Sequence, residues 1–143
     1  EMLRSLVGSE MCIRDSIFTA SITPASTAAA LKALEIMETE PEIQENLWNV
    51  THRALEGFRS AGFEIGNTST PIIPLFIRDN NKTFAITTEL LHEGIFVNPV
   101  VSPAVAPQDT LIRFSLMATH TPEQVDYALD KITKVFKKYE VLK

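Results

Sequence analysis

The apolar residues nearest the C-terminus recur at the spacing of a helix with one buried face. Thr121 stands at the position of an N-cap, Pro122 suits the first helical turn, and Gln124 completes a capping box. The apolar stripe that follows has the spacing i, i+3, i+4, i+7 and consists of Val125, Ala128, Leu129, Ile132, Val135, Phe136 and Tyr139. The pattern predicts a helix that packs against a core.

Three more helices are predicted from similar signals. The first begins at Thr23-Pro24, and its residues Ala28, Leu31, Leu34 and Ile36 are expected to face a core. The second begins near Pro41, where Thr39 and Glu42 have capping-box spacing, and ends before Gly62. The third covers residues 83–93 and ends at Gly94.

Three short apolar stretches have the character of β-strands: residues 71–77, 95–97 and 111–117. In the first of these, the prolines fall at the start or suit an edge position. The resulting order, α-α-β-α-β-β-α with short connections, predicts an α+β fold. In it, helices pack on one face of a short and mostly antiparallel sheet.

Arg113 is the candidate binding residue that this pattern isolates. Alternation along residues 111–117 puts Ile112, Phe114 and Leu116 on one face, and Arg113 with Ser115 on the other. Because an unpaired buried guanidinium is very costly, Arg113 must meet an anion or water. An apolar, proline-rich segment, residues 98–107, lies just upstream. The spacing leaves two interpretations open: a structural salt bridge, or a site for the carboxylate of a partly apolar ligand.

Composition excludes several classes of function. The chain has 143 residues, enough for one domain, and a formal net charge of −5 that argues against nucleic-acid binding. No apolar run is long enough for a membrane span, and no signal peptide is expected. Cys12 is the only cysteine, so an internal disulfide is impossible. The histidines, His52, His92 and His120, lack metal-ligand spacing, so no metal site is expected.

Residues 1–16 differ in character from the rest. The run from Leu6 to Ser16 resembles the translated end of a transposase-type sequencing-library adapter, and it shows neither helical nor strand periodicity. We therefore expect residues 1–16 to be a non-native segment and residues 17–143 to be the C-terminal piece of a longer protein. A natural N-terminal segment is the alternative.

Four motifs in the remaining residues resemble one enzyme family. They are Phe18-Thr19-Ala20-Ser21-Ile22-Thr23-Pro24, Thr70-Pro71-Ile72-Ile73-Pro74, Gly94-Ile95-Phe96-Val97, and the block from Leu111 to Thr121. In this order and spacing they resemble motifs of the α-oxoamine synthases. These are fold-type-I pyridoxal-phosphate (PLP) enzymes that condense an amino acid with an acyl-CoA and release carbon dioxide. The sequence from Val97 to Val105 is most similar to the corresponding sequence in the bacterial serine palmitoyltransferase branch of the family.

The resemblance implies a fold and a set of roles. The fold would be the C-terminal small domain of a fold-type-I enzyme. Arg113 would hold the amino-acid carboxylate, and Val101 and Ser102 would lie in the loop that lines the substrate entrance. Some relatives carry a second, mobile arginine near Val101, so a two-arginine mechanism is not expected here. Thr19, Ala20 and Ser21 would contact the phosphate of PLP, in fold-type-I dimers commonly that of the partner subunit.

The resemblance also implies what this chain lacks. In the family the Schiff-base lysine lies upstream of the Phe18 motif, so we assign no catalytic residue and predict that this chain alone is inactive. The parent protein is expected to be a cytoplasmic homodimer in sphingolipid biosynthesis. Glycine C-acetyltransferase and 8-amino-7-oxononanoate synthase are alternatives within the family. A non-catalytic carboxylate-binding regulatory module is the alternative of another class, and a structural protein without a ligand is a third.

Overall fold

The computed structural model describes residues 22–142. Within this range the chain forms four α-helices, three β-strands and one short 3₁₀ helix. In chain order they are α1 (Pro24–Thr39), α2 (Pro41–Ser60), β1 (Ile72–Phe76), α3 (Asn80–His92), β2 (Asn98–Val100), the 3₁₀ helix (Pro107–Asp109), β3 (Leu111–Ser115) and α4 (Pro122–Lys138). The described residues fall into two compact units, one that contains residues 22–41 and one that contains residues 42–142. None of the helices in residues 22–142 is long and apolar enough to cross a membrane.

Helix α1 begins as predicted but does not bury the residues that were expected to face a core. The Thr23 hydroxyl accepts a hydrogen bond from the Ser26 N–H at 3.2 Å, and Pro24 occupies the first turn. No residue of α1 is buried, and Leu31 and Leu34 are 67% and 49% exposed. At 3.6 residues per turn, its four apolar positions spread over about 200° of the helix, whereas those of α4 fall within about 120°. The expectation of a core-facing α1 is therefore wrong.

The three strands form one antiparallel sheet in the order β1-β3-β2. Strand β3 is central, and its burial alternates: Ile112 and Phe114 are buried and Arg113 is exposed. The buried face joins residues of α2, α3 and α4 in a single hydrophobic core. The predicted α+β class and mostly antiparallel sheet are thus confirmed.

Strand β2 lies three residues later than predicted. The sequence pattern predicts a strand at residues 95–97, but the structure has it at Asn98–Val100. The Ile95 N–H is already engaged by the Leu90 carbonyl at the end of α3, at 2.8 Å. Pro99 is tolerated because β2 is an edge strand, where one side of the backbone needs no partner.

Two helices end at glycines for a backbone reason. Gly62 follows α2 with φ 86°, and Gly94 follows α3 with φ 80°, a region that glycine adopts without a steric cost. The Phe63 N–H reaches back to the Phe58 carbonyl at 3.0 Å, which closes the last turn of α2. Both predicted helix ends are therefore confirmed, and each turn aims the chain into the core.

Exposed ion pairs join elements that are distant in sequence. Arg78 binds Glu64 through two nitrogens and donates to the Gln108 carbonyl at 2.9 Å, so it ties the segment before β1 to the 3₁₀ helix. Arg53 of α2 binds Asp126 of α4 through two hydrogen bonds, at 2.7 and 2.6 Å. The hydrogen bonds from Arg78 lower the pKa of Glu64, and those from Arg53 lower the pKa of Asp126.

These pairs predict that acid weakens the fold. A carboxyl whose pKa is lower in the folded chain stabilises it above the unfolded value, and this contribution is lost as the pH falls through the folded value. The free energy of unfolding should therefore stay level from neutral pH to about pH 5 and decrease as the pH falls from about 5 to about 3. Urea denaturation over that range measures it, and Glu64→Gln should reduce the slope. A free energy that rises on acidification would contradict the prediction.

Candidate functional site

A cavity of about 650 Å³ opens where β2 and β3 separate. The two strands pair from Asn98, opposite Arg113, to Val100, opposite Leu111. Before Asn98 the chain comes from the end of α3, while beyond Arg113 it continues toward α4, and the gap between these two segments forms the cavity. Its lining consists of residues 94–98, residues 113–117, His120, Glu123, Gln124, Val125, Tyr127 and Ala128.

Arg113 is one of the residues that line this cavity. It lies in the centre of β3 on the face away from the core, between Pro74 of β1 and Asn98 of β2. Within residues 22–142 its side chain makes no hydrogen bond and no salt bridge. Arg53 and Arg78, by contrast, bind carboxylates, and Arg59 donates to the Thr68 carbonyl at 2.9 Å. The salt-bridge interpretation of Arg113 therefore has no support among the described residues.

The turn between β3 and α4 forms one wall of the cavity. The His120 Nδ1 accepts a hydrogen bond from the Met117 N–H at 3.1 Å, and the His120 N–H donates to the Met117 carbonyl at 3.1 Å. The predicted capping box follows: the Thr121 hydroxyl accepts from the Gln124 N–H at 3.3 Å, and the Gln124 side chain accepts from the Thr121 N–H at 3.0 Å. Asn46 of α2 donates to the Ala118 carbonyl and so fixes the turn to the core.

The cavity carries one carboxylate on its lining. Glu123 lies in the first turn of α4, where hydrogen bonds from its own backbone N–H and from the Thr121 hydroxyl lower the pKa of its carboxyl. The group therefore stays ionised at neutral pH and complements the positive end of the helix dipole.

The remaining walls are mostly apolar. Phe96 is 79% exposed at the rim, and Met117 is also exposed there, while Ile95, Val97 and Leu116 are buried beneath them. The Tyr127 hydroxyl donates to the Glu93 carbonyl at 3.1 Å and closes the far end. The lining therefore combines one arginine and one glutamate with mostly apolar walls, and the arginine suits the carboxylate of a partly apolar ligand.

The structure brings together only part of the predicted site. Arg113 lines the cavity, whereas Val101 and Ser102 lie beyond β2 and do not line it. Thr19, Ala20 and Ser21 lie outside the described residues. The sequence interpretation did not single out Asn98, although the register places it directly opposite Arg113. Only the correct position of β2 would have revealed that pairing.

The described residues do not fit a PLP site by themselves. PLP enzymes hold the cofactor through a lysine amine, and none of the residues that line the cavity is a lysine. Four of the lysines in residues 22–142 form ion pairs elsewhere, namely Lys32, Lys131, Lys134 and Lys138. The described residues therefore supply this cavity with an arginine but with no amine that could hold PLP.

The fold and the site together describe an α+β domain whose central strand carries an arginine beside a cavity. Comparison with known proteins identifies the family of this domain. Residues 9–132 match the model of the aminotransferase class I and II family, so the chain belongs to that family. This finding confirms the resemblance that the four motifs indicate.

The individual relatives are acyltransferase-type members of this family. The chain is 57% identical over 129 residues to a serine palmitoyltransferase of Bacteroides thetaiotaomicron, covering 90% of this chain and 33% of that protein. It is 36% identical over 124 residues to an 8-amino-7-oxononanoate synthase of Petrotoga mobilis, covering 87% of this chain and 32% of that protein. The chain thus spans about a third of the length of these relatives.

A solved structure supports the same assignment. The serine palmitoyltransferase of S. paucimobilis, solved with a bound PLP–myriocin aldimine, superposes with a TM-score of 0.78 at 29% identity. The match covers 88% of this chain and 32% of that one. The fold of residues 22–142 therefore corresponds to about a third of a PLP-dependent serine palmitoyltransferase.

Proposed function

We propose that this chain is the carboxylate-binding C-terminal part of a PLP-dependent acyltransferase that condenses serine with an acyl-CoA and releases carbon dioxide. The observation that carries the proposal is Arg113, which lines a cavity and whose guanidinium has no hydrogen-bond or ion-pair partner within residues 22–142. In this proposal residues 17–143 are the native domain and residues 1–16 are adapter-derived. The parent protein is a cytoplasmic homodimer.

Arg113 is suited to orienting an amino acid as well as binding it. Its planar guanidinium donates two parallel hydrogen bonds to the two oxygens of a carboxylate, which fixes both the position and the rotation of that group. Because β3 is the central strand, paired on both sides at Arg113, the Cα of this residue is held rigidly. A fixed carboxylate determines which Cα bond of the amino acid faces the reacting group. PLP, when bound by the parent enzyme, would withdraw the electrons of that bond.

The apolar walls of the cavity and the loop at residues 101–102 would contact the acyl-CoA substrate. Exposed Phe96 and Met117 lie at the rim, and an acyl chain would bury such side chains favourably. Val101 and Ser102 would border the substrate entrance without touching the carboxylate. Thr19, Ala20 and Ser21 would reach the cofactor phosphate with hydroxyl and N–H donors.

Three alternatives stay open, two within the family and one of another class. Glycine C-acetyltransferase and 8-amino-7-oxononanoate synthase use the same reaction class, and 36% identity to the latter is weaker support than 57% identity to serine palmitoyltransferase. A non-catalytic carboxylate-binding module would also use Arg113, and the lack of a lysine in the cavity is compatible with it.

One reading of genomic DNA and one assay test the proposal. Reading upstream of Ile17 should give a continuing frame that encodes a cofactor-binding lysine, whereas a start codon there would favour the regulatory module. The parent enzyme should then prefer serine with a long-chain acyl-CoA in a panel of amino acids and acyl-CoA donors. Preference for glycine with acetyl-CoA, or for another pair of amino acid and acyl-CoA, would assign it to one of the alternatives.

A further inference from the structure

The imidazole of His120 is held by its own turn in one defined state. Its Nδ1 accepts the Met117 N–H at 3.1 Å, so Nδ1 carries a lone pair and no proton. In a neutral imidazole the proton then lies on Nε2. The same turn is fixed a second time by the bond from the His120 N–H to the Met117 carbonyl. The ring is therefore set in orientation as well as in tautomer.

The Nε2–H of His120 is left available to a ligand. Within residues 22–142 only Nδ1 of this ring takes part in a hydrogen bond. Every buried side-chain nitrogen and oxygen in the same range has a partner, so an unpartnered Nε2 must be accessible. His120 lines the same cavity as Arg113. Glu123 lines that cavity too, but its carboxylate lies at the N-terminus of α4, where the backbone and Thr121 stabilise its charge.

We propose that the Nε2–H of His120 is a second hydrogen-bond donor to the carboxylate of the amino acid that Arg113 binds. This inference rests on the proposed function. A carboxylate has about four lone-pair positions, of which a bidentate guanidinium uses two, so an additional donor finds a free acceptor. The Met117 N–H bond positions the ring for this contact much as second contacts orient metal-binding histidines. His120 thus joins Arg113 in selecting a carboxylate ligand.

The structural and the binding role of His120 can be separated by substitution. In His120→Asn the side-chain oxygen can take the place of Nδ1 and accept the Met117 N–H, but no donor reaches the position of Nε2. In His120→Ala both contacts are lost. His52→Asn is the matched control, because His52 is exposed, stacks on Trp48 and does not line the cavity.

The test is steady-state kinetics and thermal unfolding of the full-length enzyme that carries this chain. His120→Asn should raise KM for the amino acid roughly three- to tenfold, the range for one hydrogen bond. Its KM for acyl-CoA and its thermal midpoint should stay at the parent values. His120→Ala should raise the same KM and also lower the thermal midpoint, and His52→Asn should change neither.

Several results would overturn the assignment. An unchanged amino-acid KM in His120→Asn, with a raised KM in Arg113→Ala, would reject His120 as a ligand contact and leave the proposed function intact. Unchanged values in both variants would reject the contact and the carboxylate site together. A rise confined to the acyl-CoA KM, or a His120→Asn midpoint as low as that of His120→Ala, would likewise reject it.

Discussion

Phe58→Ala is expected to remove a large part of the stability of the folded chain. Phe58 of α2 is fully buried, and its ring meets Phe63 and Phe114 edge to face, with centroids 5.1 and 5.3 Å apart. Truncating such a residue costs about 3–5 kcal/mol, because apolar contacts are lost and a cavity remains. Domains of this size are stable by only about 5–15 kcal/mol. Urea denaturation followed by circular dichroism measures the loss.

Phe84→Ala provides the matched control. It removes the same side chain from α3, but Phe84 is exposed, so the free energy of unfolding should change by no more than about 0.5 kcal/mol. Similar losses in both variants would mean that the aromatic contacts of Phe58 do not hold the helices on the sheet. The core that positions β3, and with it Arg113, would then lie elsewhere.

The elements that the sequence predicts well are those whose signals are local. The Thr121–Gln124 capping box and the apolar stripe of α4 are present as predicted, because both depend on residues within one or two turns of each other. The same is true of Gly62 and Gly94, whose positive φ angles need only the preceding helix. Local agreement of this kind fixes most of the architecture.

The elements that the sequence misplaces depend on distant partners. Residues 95–97 have the composition of a strand, yet the helix end at Leu90 engages the Ile95 backbone and moves the strand to Asn98–Val100. In α1 a few apolar residues suggested a buried face, but their positions spread around the helix and none is buried. Neither outcome follows from composition or from a short window.

The candidate site shows the same difference between local signals, which the sequence reveals, and distant partners, which it does not. Strand alternation alone exposes Arg113, and the family resemblance predicts that it binds a carboxylate. The cavity itself results from the register of β2 and β3, since pairing begins only at Asn98 opposite Arg113. The tautomer of His120 depends on a contact with Met117 that no spacing rule predicts. Sequence therefore identifies the cation, while only the tertiary structure identifies its neighbours.

Arg113→Ala in the full-length enzyme that carries this chain is expected to raise KM for the amino acid roughly ten- to hundredfold. This range corresponds to a charge-assisted hydrogen-bonded contact of about 1.5–3 kcal/mol. Arg113→Lys should recover only part of the loss, because lysine keeps the charge but not the two parallel donors. Steady-state kinetics at saturating acyl-CoA measures both variants, and cofactor absorbance should be unchanged in each.

Arg59→Ala separates the loss of a guanidinium in the cavity from the loss of a positive charge. Arg59 is also exposed, but it donates to the Thr68 carbonyl and does not line the cavity, so its removal should leave KM for the amino acid unchanged. Equal effects of Arg59→Ala and Arg113→Ala would mean that only the net charge of the protein attracts the substrate. A long-range electrostatic field does not depend on how one guanidinium is oriented. An unchanged KM in Arg113→Ala would show that the amino-acid carboxylate is bound elsewhere. A large effect confined to Arg113, with partial recovery by lysine, requires a guanidinium that directly contacts the carboxylate.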